Sequence, residues 1–134
     1  ISACGCQIGH SFAQTFGAMN HIPHGLGCAW GLPGVMTYTA KYGERSNLEI
    51  VAEAMDVSWD DNTSTMELAD MLAGKVIELM RQLKIKSIKD QGYTLEDCLK
   101  SADIFVYDGA FGNSPGNPGM KEITDYIEYT YSIY

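Results

Sequence analysis

The chain has 134 residues, 46% of them hydrophobic and 19% charged, with 17 acidic against 9 basic side chains and a formal net charge of −8. A chain of this length is read as one domain, able to bury about two-thirds of its extended surface around a single core. The acidic balance argues against nucleic acid or an anionic membrane as partner, since both need a basic surface, and no apolar run approaches the ~20 residues of a membrane span.

Taken in chain order, residues 2–19 are predicted as a first helix. Ile8, Phe12 and Phe16 fall at i, i+4 and i+8 and make one apolar stripe, while His10 and Gln14 share a different face. Pro23 ends that helix by pushing Ile22 away from helical dihedrals. A second helix is expected from about residue 24 to 38. It carries Gly25, Gly27, Gly31 and Pro33, which weaken it in isolation, so it must rely on close packing against a neighbour. These glycines follow no strand and are therefore not a dinucleotide-binding loop.

A third helix is predicted over residues 46–55, with Leu48, Val51, Ala52 and Met55 inward. Trp59, Asp60, Asp61 and Asn62 form a polar turn. Residues 64–83 are the clearest amphipathic helix, with Leu68, Leu72, Val76, Leu79, Met80 and Leu83 expected on its buried side. Asp60, Asp61 and Asp70 are read as solvated. Thr94 is a candidate N-cap, followed by Glu96 and Asp97 at the positive end of the dipole. Residues 108–120, rich in glycine, proline and asparagine, are expected to be a long loop. A last helix covers about 121–133, with Ile123, Tyr126, Ile127 and Tyr131 inward. No segment alternates as a strand would. The expected fold is an all-α bundle of about six or seven helices.

Cys4, Cys6, Cys28 and Cys98 lack zinc-knuckle spacing and are read as reduced thiols in a cytoplasmic protein. The N-terminus shows no signal-peptide pattern. It begins without Met in helix-compatible sequence, as expected of a piece of a longer protein.

All three histidines fall in one segment, Gly9-His10-Ser11-Phe12-Ala13-Gln14-Thr15-Phe16-Gly17-Ala18-Met19-Asn20-His21-Ile22-Pro23-His24-Gly25. Imidazole is the side chain most used for transition metals and for proton transfer near neutral pH. His10 and His24 are two candidate ligands, short of the three or four that a metal site needs.

This stretch resembles the metal-binding segment of the iron-containing (group III) alcohol dehydrogenases, in the dehydroquinate synthase-like superfamily. His10, Gly17-Ala18, Pro23-His24-Gly25 and Leu32-Pro33 stand at that family's spacing. The resemblance is specific over about residues 1–45 and weakens beyond. It implies that residues 1–134 form a single helical domain, the C-terminal part of such an enzyme. The N-terminal nucleotide-binding domain and the first helices of the helical domain would be absent. It implies His10 and His24 as metal ligands, with an aspartate and a further histidine supplied by the absent helix. The metal would be Fe(II) or Zn(II), the cofactor NAD or NADP bound mainly by the missing domain, and the substrate a small alcohol or aldehyde. Gln14 departs from the pattern: the family commonly has a second histidine there, beside the nicotinamide. Glutamine does not take up a proton near pH 7, so Gln14 is the candidate catalytic-cleft residue in a positioning role. His21 has no ligand counterpart and is read as a non-ligand.

By itself the chain is expected to be inactive and to self-associate as a homo-oligomer through the surface such a domain would cover. The alternative is a stand-alone, non-catalytic helical module for oligomerisation or binding.

Overall fold

The computed structural model describes residues 7–134. Cys4, Cys6 and the first part of the predicted first helix lie outside the described residues. Within them the regular structure is entirely helical, with no strand, as the sequence pattern predicts.

Helix α1 (Ile8–Phe12) runs without a break into a π-helical turn, Ala13–Gly17. Ile8, Phe12 and Phe16 are fully buried, and each such side chain contributes about 1.5–3 kcal/mol relative to exposure. The two phenylalanine rings stack at 5.1 Å. The π turn was not predicted: its wider winding leaves the apolar stripe intact and so leaves no trace in the pattern. A tight reversal follows, in which Ile22 N–H donates to the Gly17 carbonyl at 2.8 Å and His21 takes a left-handed conformation with φ of 55°.

Helix α2 (His24–Tyr42) starts after Pro23 and is longer than predicted. Pro33 sits inside it, buried, where it removes one backbone donor. This helix is the centre of the bundle, packing on α1 and its π turn and on two later helices, α4 (Thr65–Gln82) and α7 (Met120–Ile133). The glycines serve that packing. A Cβ on Gly27 would stand 3.0 Å from both Cα and Cβ of Ala13. One on Gly31 would stand 2.6 Å from the Tyr126 hydroxyl and 3.2 Å from the Gly9 carbonyl oxygen. Bulkier residues would hold α1 away from α2.

Helix α3 (Arg45–Ala54) buries Leu48 and Ala52. Helix α4 (Thr65–Gln82) opens on a capping box: Glu67 N–H donates to Ser64 Oγ at 3.2 Å, and Ser64 N–H to Glu67 Oε2 at 2.8 Å. Its buried residues are Leu68, Ala69, Leu72, Ala73, Val76, Ile77 and Met80. Leu79 and Leu83, expected inward, are 49% and 64% exposed. The small Ala69 and Ala73 draw α4 onto its neighbours through an arc that leaves Leu79 at the margin, and Leu83 lies past the last turn.

Helix α5 (Leu95–Leu99) has the predicted Thr94 cap, reciprocated by Asp97, and α6 (Ala102–Phe105) follows. The predicted loop contains one short 3-10 turn, Phe111–Asn113, whose Phe111 ring packs edge-on against Phe105 at 5.7 Å. Helix α7 (Met120–Ile133) buries Ile123, Tyr126, Ile127 and Thr130, while Tyr131 is half-buried. The Tyr126 hydroxyl donates to the Gly31 carbonyl at 2.8 Å and fastens α7 to α2.

Candidate metal centre

The close approach of α1 and α2 decides what stands at their shared end. His10 lies in the last turn of α1 and His24 is the first residue of α2. The tight reversal at His21 and Pro23 brings their rings to 5.4 Å between centroids, tilted by 50°. Cys28, one turn after His24 on the same face of α2, places its Sγ 3.4 Å from His24 Nε2. One donor atom from each of His10, His24 and Cys28 lies within 4.8 Å of the other two. His10 and Cys28 are half-buried and His24 is exposed, so the cluster opens toward solvent. Imidazole and thiolate are donors for Zn(II) and Fe(II) alike, and the donor set fits a divalent transition metal.

Of the residues singled out in the sequence, His10 and His24 are brought together. His21 is exposed at the reversal and stands outside the cluster. Gln14 directs its amide to Asp108. With its nitrogen facing that carboxylate, it donates to Oδ1 at 2.9 Å and to Oδ2 at 2.7 Å. Asp108 also accepts from Ser11 Oγ at 2.8 Å and from the Ala110 N–H at 2.9 Å. This carboxylate joins the loop after α6 to the helix that carries His10. Sequence reasoning missed Asp108, since it pairs with Ser11 across 97 positions and lies in a stretch read only as irregular. It also missed Cys28 as a neighbour of the histidines, although the His24-to-Cys28 interval of one helical turn was a usable signal.

Two of the carboxylates singled out in the sequence, Asp60 and Asp70, are exposed and engaged in local contacts away from the cluster. Asp60 Oδ1 accepts from the N–H groups of Asn62 and Thr63 at 2.9 and 3.0 Å and from the Thr63 hydroxyl at 3.2 Å; the Asn62 N–H and then the Thr63 hydroxyl hold its carboxyl below the usual range. Asp70 accepts from the Tyr129 hydroxyl at 3.2 Å. Cys98 is completely buried, and burial pushes its thiol up to about 12. Among the described residues no helix is long and apolar enough to cross a membrane.

The described fold is helical, and at the junction of two of its helices stand three side chains of a kind that could hold a transition metal. The C-terminal domain of the Fe-containing alcohol dehydrogenase family matches residues 1–131. An NADPH-dependent butanol dehydrogenase from Clostridium saccharobutylicum is 31% identical over 130 residues, covering 92% of this chain and 32% of that protein. The chain belongs to the Fe-containing alcohol dehydrogenase family. It spans about a third of the length of the relative it matches.

Proposed function

We propose that this chain is the helical, metal-binding part of an NAD(P)-dependent alcohol dehydrogenase acting on a small alcohol or its aldehyde. The observation that carries this is the pairing of His10 and His24 at 5.4 Å on two helices held together by glycine contacts. His10 and His24 would hold a divalent ion, Fe(II) or Zn(II). The nicotinamide cofactor would be bound chiefly by residues outside this stretch. Such an ion would supply Lewis-acid polarisation of the substrate oxygen, and the nicotinamide would supply the hydride chemistry.

The remaining chemistry falls to the protein's own side chains. Gln14 donates its amide N–H to the Asp108 carboxylate, which leaves Oε1 as the acceptor it would offer to a substrate or cofactor donor. It orients rather than exchanges protons, because an amide does not titrate near neutral pH. Asp108 is a positioning residue that fixes the rotamer of Gln14. The buried, protonated thiol of Cys98 is in keeping with a reducing compartment such as the cytoplasm.

The test is Zn(II) binding to the purified protein by titration calorimetry. His10→Ala and His24→Ala are each expected to weaken binding by more than about 100-fold, beyond the roughly 10–100-fold that the loss of an outer partner of a ligand costs. His21→Ala is expected to bind as the parent does. A profile in which His21→Ala abolishes binding and His10→Ala does not would refute the assignment.

A further inference from the structure

We propose that Cys28 is a third metal donor in this protein, giving the α1–α2 junction a His-His-Cys face. This rests on the reading of His10 and His24 as metal ligands and adds to it a residue that the histidine motif does not contain. Three observations carry it. The first is distance. An ion bound to an imidazole nitrogen at about 2.0–2.1 Å and to a thiolate at about 2.3 Å, with a tetrahedral angle between them, separates the two donors by roughly 3.6 Å. His24 Nε2 and Cys28 Sγ stand 3.4 Å apart. The second is placement. Residues four apart on a helix lie on one face one turn apart, and His24 and Cys28 both belong to the regular helix α2. The donors therefore sit on a rigid element and not on a loop that would have to reorder. The third is convergence. The half-buried His10 reaches the same point from a different helix, with one donor atom from each residue inside a 4.8 Å span.

The packing supports the same geometry. Cys28 follows Gly27, whose missing side chain lets α2 lie against Ala13, so the backbone that carries the sulfur is fixed relative to the helix that carries His10. Coordination would release the thiol proton to solvent and leave a thiolate–metal bond. A thiolate is a softer donor than carboxylate or imidazole and shifts the preference of the site toward Zn(II). The three donors of this face leave the opposite side of the ion open to ligands from elsewhere in the protein.

The experiment is X-ray absorption at the zinc edge of the Zn(II)-loaded protein, with Co(II) as optical probe. Cys4→Ser/Cys6→Ser serves as the background, so that the other cysteines near the N-terminus contribute no sulfur. The expected result is one sulfur at about 2.3 Å beside nitrogen or oxygen neighbours at about 2.0–2.1 Å, together with a sulfur-to-Co(II) charge-transfer band. Adding Cys28→Ser should remove both signals and weaken Zn(II) binding at least about tenfold, with helicity by circular dichroism unchanged. The spectrum of the background protein is informative even if the Cys28 variant does not fold. A shell of nitrogen and oxygen alone, with binding still dependent on His10 and His24, overturns the role of Cys28 while leaving the histidine pair in place; the 3.4 Å contact is then a hydrogen bond. A sulfur signal that persists in Cys28→Ser overturns it too. No Zn(II) binding at all overturns both readings.

Discussion

Asp108 gathers three donors of different kinds: a serine hydroxyl, a backbone N–H and a glutamine amide. Ser11 is itself fully buried, so losing its acceptor leaves a hydroxyl without compensation. Asp108→Ala is expected to cost about 1–3 kcal/mol, read as a lower urea midpoint. Asp108→Asn should cost less, because Gln14 can turn its amide and pair with the new one. Identical midpoints for Asp108→Ala and the parent would contradict the role given to this carboxylate. Residue roles were legible in the sequence only where spacing carried them. His10 and His24 stand out because they share one glycine-bounded segment at a fixed spacing, with Pro23 and Gly25 flanking His24. Asp108 does not, since no local pattern ties it to Ser11 or Gln14. A lone cysteine likewise reads as an ordinary buried thiol until the neighbouring helix turn is considered.

At the scale of elements, the contact between α1 and α2 depends on what is missing from α2. Gly31→Ala would drive a methyl to 2.6 Å from the Tyr126 hydroxyl and 3.2 Å from the Gly9 carbonyl. The expected cost is about 1–3 kcal/mol, with weaker Zn(II) binding as His10 is displaced from His24. Gly25→Ala is the control: nothing lies within 4 Å of its Cβ position, and its effect should stay within about 0.5 kcal/mol. Thermal melts of the two variants that could not be told apart would overturn the packing argument. The helices themselves were legible because each core-facing stripe repeats at the helical period. What escaped was where a stripe stops being covered, as at Leu79 and Leu83, and where the winding changes without altering the stripe, as in the π turn at Ala13–Gly17. Both are set by neighbouring helices, not by local preference.

For the molecule as a whole, the titrating groups that burial perturbs make it sensitive to alkali. Burial is the largest cause for each of Cys98, Tyr38 and Tyr129, and it pushes all three up to about 12 from ordinary values of 9.0 for the thiol and 10.0 for the phenols. The fold favours their protonated forms, so the unfolded chain releases these protons first as pH rises. Stability from this source is complete below about pH 9 and is lost progressively toward pH 12. Melting temperatures measured under reducing conditions from pH 8 to 12 should fall across that window, and a flat profile would contradict the burial of these groups. The two polar features at the α1–α2 junction also differ in how far the chain must return on itself to build them. His10 and His24 are 14 positions apart along the chain, whereas Ser11 and Asp108 are 97 apart. Loop-closure entropy makes the longer return costlier by about 2 kcal/mol. The histidine pair therefore closes over a short return within the α1–α2 hairpin, at small entropic cost. The Asp108 clasp instead draws on a residue far along the chain, so it holds α1 only through the bundle as a whole.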